Sequence, residues 1–226
     1  MRRSDPIVWW LLAGAAGACL LPWHLQQDGV KFSSLLALFV RDPDQASALA
    51  QALMHKRWWL WPLIAALGLA PLGLRPGLDR RRRGGWLVAT GAAGLTALVV
   101  QAWLIGMRGW SYPLFERLFG ELDGRQFGLG LGGAVTFAAC TALFTTGLAL
   151  RGRFGGDRFV AGAVGLLVAS ILICTVWPVL TILSQALSPP PGMSFAAAVL
   201  MSLCWPRISA SSASVTGPLK PSEHKR

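Results

Sequence analysis

Three histidines, four cysteines, a glycine-rich run and a knot of arginines are the residues of this chain whose types could do chemistry. His24, His55 and His224 lack the HxxxH or HxxE spacing that sets two ligands on one helix face, so a two-histidine metal site would need distant loops to meet. They read as polar residues at membrane edges and in the tail. Cys19, Cys140, Cys174 and Cys204 each stand alone in an apolar run, without the CxxC pairs of a zinc or redox site, and read as small packing residues. The run GLGLGG at 128–133 has the glycines of a phosphate loop but not its GK[ST] ending, and it opens an apolar segment, so helix packing accounts for it better. No catalytic, cofactor-binding or metal-ligating residue is assigned, no cofactor is implied, and the chain is not read as an enzyme.

The elements that carry these residues are set by composition. Of 226 residues, 54% are hydrophobic and only 14% charged, and the mean hydropathy is +0.51. Soluble domains carry roughly a quarter charged residues, so most of this chain belongs in lipid. The net charge of +11 raises nucleic acid as a partner, but the basic residues sit at the ends of apolar runs instead of on one face of a domain. Membrane topology explains them, and no nucleic-acid partner is expected.

Apolar runs over 7–23, 58–74, 86–106, 129–150 and 160–187 predict an all-α, polytopic membrane bundle of about five transmembrane helices. The first follows MRRSDP as a signal peptide would, but bulky residues 21–25 occupy the place of a small-residue cleavage site, so it is expected to be retained. Trp9, Trp10 and Trp23 near its ends suit the headgroup level. Pro62 lies in the first turn of the second run, where its missing N–H costs little, and Pro178 is expected to kink the fifth. Ala134, Ala138, Ala142 and Thr146 form a small-residue ladder on the fourth run, and Ala161, Gly165 and Ala169 repeat it on the fifth.

Two connections hold structure of their own. Asp42-Pro43-Asp44-Gln45 has the form of a helix start, predicting a helix that runs to about His55, in the interface or against the bundle. The run 32–40 before it is too short to span. Ser111 predicts the N-cap of a short helix ended by Gly120, with Trp110 stapled to Phe115. Residues 188–205 read as a proline-rich turn and a short apolar piece. Residues 206–226 form a polar tail with too little apolar surface to order itself.

Charge sets the expected orientation. With the N-terminus cytoplasmic, segments 1–6, 75–85 and 151–158 hold ten Lys or Arg in 25 residues, whereas connections 24–57 and 107–126 hold seven in 54. Positive charge resists translocation, so the four arginines Arg80–Arg83 are expected in a cytoplasmic loop between the second and third spans. Residues 159–206 contain no charge at all, unlike the intramembrane routes of ion-coupled transporters.

The strings GMRGW at 106–110, LFGEL at 118–122, GRQFG at 124–128 and GDRFVAGAVGL at 156–166 are distinctive. With the runs around them, covering much of residues 80–187, they resemble the N-terminal membrane region of bacterial iron(III) ABC-transporter permeases, the inner-membrane subunits of binding-protein-dependent importers. The resemblance implies a multi-pass protein of the bacterial inner membrane, partnered by the lipid bilayer, an ABC ATPase subunit and a periplasmic iron-binding protein. The chain departs from the family in lacking an EAA-type coupling loop and any permease core beyond residue 187. It is therefore expected to be a truncated or frameshifted permease fragment. The alternative is a small stand-alone membrane scaffold or assembly subunit without transport activity.

Overall fold

The computed structural model describes residues 6–25, 45–106, 109–111, 113–120, 122 and 128–187. In chain order its helices are α1 (Pro6–Cys19), α2 (Ala48–Met54), α3 (Trp61–Leu69), α4 (Arg80–Leu104), α5 (Pro113–Phe119), α6 (Leu131–Leu150), α7 (Arg158–Ile171) and α8 (Trp177–Leu187). Among the described residues the strands are limited to an antiparallel two-residue pair, β1 (Ile105–Gly106) with β2 (Gly109–Trp110). Among the described residues three helical runs are long and apolar enough to cross a membrane: Arg80–Leu104, Leu131–Leu150 and Arg158–Leu180. Residues 6–19 and 58–74 are shorter apolar helices, so three of the five expected spans reach full length. The chain divides into two units, Met1–Ala169 and Ser170–Arg226.

In the first unit α6 is the central element. Within its apolar window 61% is buried, against 28% for α4, because α1 and α4 pack on it from two sides. Both contacts are antiparallel and rest on glycine. A Cβ on Gly91 of α4 would meet the Phe144 nitrogen at 2.7 Å and the Cys140 oxygen at 2.9 Å, and one on Gly84 would meet the Gly147 oxygen at 2.8 Å. On the other side, Gly17 of α1 lies against Thr136 and the Gly132 oxygen, and Gly14 against Ala139. In lipid the hydrophobic effect does not drive helices together, so such backbone approach, which maximises dispersion contact, is what holds them.

The surface of α6 that makes these contacts is not the ladder expected from spacing. Of that ladder only Thr146 is buried, Ala134 being exposed and Ala138 and Ala142 half-buried, whereas Gly132, Thr136, Ala139, Cys140, Leu143 and Gly147 are also buried. A four-residue repeat drifts round a 3.6-residue helix, and the true seam alternates steps of three and four. Two threonines in this region satisfy their hydroxyls internally: Thr145 Oγ1 donates to the Thr141 oxygen and Thr141 Oγ1 to the Phe137 oxygen, both at 2.9 Å, whereas Thr136 Oγ1 is buried with no hydrogen-bond partner among the described residues. On α7, Gly165 of the expected small-residue stripe faces Thr145 of α6, Ala161 is buried and Ala169 is half-buried.

Boundaries shift where local chemistry decides. Helix α1 stops at Cys19 because Pro22 removes a donor and restrains the residue before it. Trp23 then turns inward and is 0% exposed, which corrects the expectation that it sits at headgroup level; Trp9 and Trp10 are exposed. Helix α4 starts at Arg80, so Arg80–Arg83 form its first turn instead of a loop, as good helix formers following Asp79. The N-cap of α2 is Ser47, whose Oγ accepts from the Ala50 N–H at 3.3 Å, five residues after Asp42, where the expected helix start begins; residues 42–44 and the run 32–40 lie outside the described residues. Helix α5 begins at Pro113, two residues after Ser111, so Ser111 stands one position ahead of the N-cap place expected for it; the helix ends at Gly120 with φ +83°, and Trp110 stacks on Phe115 with ring centroids 5.9 Å apart. Pro62 falls in the first turn of α3.

In the second unit the irregularity lies just before Pro178. A π turn over Leu172–Val176 precedes α8, and Cys174, four residues before the proline, is at its centre. Proline cannot donate to that carbonyl and its ring crowds it, so the ladder widens there. The expected segments 188–205 and 206–226 lie outside the described residues.

Candidate functional site

A buried polar cluster occupies the end of α1 and α6 opposite the arginines of α4. Sequence spacing leaves His24 as an interfacial residue; folding buries it. Helix α1 ends in the Pro22 turn, and the segment 128–130 runs beside that turn: the Gly130 N–H donates to the Trp23 oxygen at 2.8 Å, and the Gly132 N–H to the Pro22 oxygen at 2.9 Å. A side chain at Gly130 would collide with the His24 carbonyl group, and one at Gly132 with three carbonyl oxygens, so the GLGLGG run serves close backbone approach. Helix α2 lies against the same turn through Trp23 N–H to the Ala46 oxygen, 3.1 Å.

Three side chains from three segments meet there. Arg57 Nη1 is 2.9 Å from both His24 Nε2 and Gln51 Oε1, and Gln51 Nε2 donates to the Ala46 oxygen at 3.0 Å. Gln51 is fully buried, Arg57 is 4% exposed and His24 7%. A guanidinium nitrogen only donates, so His24 Nε2 must present its lone pair, which assigns the imidazole proton to Nδ1, 3.4 Å from the Gly128 oxygen. The 3.2 Å separation of His24 Nε2 from Gln51 Oε1 then follows from two acceptors sharing one donor nitrogen. Trp23 Nε1 and His55 Nε2 are also buried, with no hydrogen-bond partner among the described residues.

The electrostatics agree with a neutral imidazole. Burial, and then the Arg57 charge, lower the His24 pKa from 6.5 to about 4, against smaller opposing effects of the nearby Gly128 and Gln51 oxygens. His24 is therefore no proton acceptor at neutral pH, since its lone pair is already engaged. The cluster joins the turn after α1, helix α2 and the approach to α6. As pH falls, the unfolded chain takes the His24 proton first. The stabilisation is complete above about 6.5 and is lost as pH falls towards about 4, with a full effect on the order of 3 kcal/mol. Thermal unfolding of the detergent-solubilised protein between those limits should show this slope. His24→Gln, which keeps an acceptor towards Arg57 without titrating, should flatten it; an unchanged slope would refute the assignment.

An apolar cleft of about 410 Å³ lies beside this region, between α3 and α4. Trp59, Pro62, Ala97, Leu104 and Trp110 line it, with Gln101 as a polar wall. Trp110 meets Trp59 edge-on at 4.9 Å and stacks on Phe119 at 5.4 Å, while its Nε1 donates to the Gly120 oxygen at 2.9 Å. The rings form one aromatic platform over the cleft, and the indole N–H stays satisfied.

Among the described residues no group of His, Cys, Asp and Glu is placed to hold a metal ion. Cys140 is buried against Gly94, Cys19 is half-buried and Cys174 exposed. What spacing missed is the pairing of Gln51 with Arg57. The available signal was a glutamine inside the otherwise apolar ALAQALM, followed six residues later by a cation.

Three apolar helices of spanning length fit a membrane protein. Comparison with family models, with curated proteins and with solved structures returned no match.

Proposed function

We propose that the chain is a membrane-embedded permease component of an ABC importer for iron(III), a multi-pass protein of the bacterial inner membrane with its N-terminus in the cytoplasm. The observation that carries this reading is the set of strings at 106–110, 118–122, 124–128 and 156–166, together with the charge asymmetry of the connections. ATP is hydrolysed by a partner subunit, and a periplasmic iron-binding protein delivers the cargo. Purification of the tagged chain from bacterial membranes in mild detergent tests it. An ABC ATPase subunit should co-purify, and loss of the chain should lower iron(III) uptake. Capture of a different membrane complex without any ATPase would overturn it.

A second reading, a scaffold or assembly subunit, is favoured by one observation. Within the spanning window Arg158–Leu180 only 6% is buried, which leaves a whole helix surface for other membrane helices. Both readings place the bilayer around the chain, and the identity of the co-purifying complex separates them.

A further inference from the structure

Cations from separate segments of the first unit converge at the N-terminal end of α4. Arg83 Nε donates to the Gly73 oxygen at 3.1 Å, which ties the turn Ala70–Leu74 to α4. Gly84 lies against the side chain of Arg151 at the end of α6, where its Cβ would stand 2.9 Å from the Arg151 Cγ. A Cβ on Gly156, in the turn Arg153–Gly156, would stand 3.4 Å from Arg80 Nη2. Residues 75–83 and 151–158 thus form one patch with eight arginines, Arg75, Arg80–Arg83, Arg151, Arg153 and Arg158, against two acids, Asp79 and Asp157, leaving a formal +6. Asp157 is committed to α7, where its Oδ1 accepts from the N–H groups of Phe159 and Val160 at 2.8 and 3.3 Å. All these arginines except Arg83 are exposed.

The patch is not purely cationic. Phe154 is 46% exposed and Phe159 83%, so two aromatic rings stand out among the guanidinium groups. Beyond Phe159 the exposed surface of α7 continues as Val160, Leu166 and Leu167. A ligand that suits all of this carries an anionic phosphodiester at one end and hydrocarbon at the other. A free phosphate would use the arginines and leave the rings and the α7 surface unused.

We propose that this end of the first unit is a binding site for an anionic phospholipid, with its phosphodiester held by Arg80, Arg151 and Arg153 and its acyl chains along Phe159 and the apolar surface of α7. Guanidinium suits this task because its planar array of donors matches phosphate oxygens. The site rests on the chain lying in a membrane and is independent of any transport activity.

The test uses the full chain in neutral detergent, titrated with short-chain phosphatidylglycerol and, in parallel, with phosphatidylcholine of the same chain length. Phosphatidylglycerol should bind at least tenfold more tightly, and added salt should weaken it. A triple Arg80→Gln, Arg151→Gln, Arg153→Gln variant should lose about a hundredfold, at about fivefold per arginine, and the corresponding Lys triple should retain most of the affinity. Phe159→Ser should weaken the lipid while leaving any affinity for inorganic phosphate unchanged. Equal affinity for the two lipids, a Gln triple within twofold of the parent, or inorganic phosphate that competes as well as the lipid would each overturn the proposal. The triples replace exposed side chains, and their unfolding temperatures, measured alongside, should match the parent. An absent ATPase partner would leave these outcomes unaffected, so the two readings fail separately.

Discussion

Gly132→Ala should cost the first unit much of its stability, lowering the unfolding temperature in detergent by about 10 °C. The added methyl would stand 2.6 Å from the Gly17 oxygen, 2.8 Å from the Leu21 oxygen and 2.9 Å from the Pro22 oxygen. All three are backbone atoms, so no side chain can rotate away, and the ends of α1 and α6 must separate instead. Overpacking of this kind costs about 1–3 kcal/mol, with rigid neighbours at the upper end. For a chain of this size about 3 kcal/mol corresponds to the temperature shift given. Gly68→Ala is the matched control: Gly68 lies in α3 with nothing within 4 Å of its Cβ position. It should hold its unfolding temperature or rise slightly, since alanine is the better helix former by about 1 kcal/mol. Equal behaviour of the two variants would refute the close α1–α6 approach.

Arg57→Met is the second large effect. Methionine keeps much of the aliphatic volume and removes the donor that His24 Nε2 and Gln51 Oε1 share at 2.9 Å. A neutral imidazole can move its proton from Nδ1 to Nε2 and donate to Gln51 Oε1 3.2 Å away, at the expense of the contact between Nδ1 and the Gly128 oxygen at 3.4 Å. A lost hydrogen bond to a charged group costs about 1.5–3 kcal/mol, and the rearranged imidazole returns part of it, so roughly 2 kcal/mol is expected. Adding Gln51→Leu to Arg57→Met should cost less than the sum of the two single losses, because both remove the same interaction, and unfolding of the single and double variants gives the coupling directly. A double variant that is less stable by the sum of the two single losses would show that the three side chains do not act together.

The helical class and the long apolar runs could be read from the sequence because lipid leaves the backbone few choices. The cap at Gly120 and the Trp110–Phe115 staple were legible too, since each depends on residues within a turn of one another. Longer-range facts were not. Nothing local to Trp23 says that it turns into the core, because the cause is its position after the Pro22 turn and beside residues 128–130. The seam of α6 escaped a four-residue count because α1 and α4 together select the buried surface. The polar cluster was the least legible. Gln51 and Arg57 are neighbours at the end of α2, where the Arg57 backbone N–H donates to the Gln51 carbonyl oxygen at 3.2 Å, but only tertiary contact brings His24 to the same donor nitrogen.

The central place of α6 also fixes an order of assembly. Its partners α1 and α4 are synthesised first, and their glycine surfaces have no counterpart until residues 131–150 leave the ribosome. At typical synthesis rates that is a wait of roughly ten seconds for α1. During that interval α4 and α1 can pack on α3 but not on α6, and the turn after α1 lacks the Gly130 and Gly132 N–H groups that donate to its carbonyls. Completion of this unit is thus timed by translation, with one late helix closing contacts that two early ones have held open.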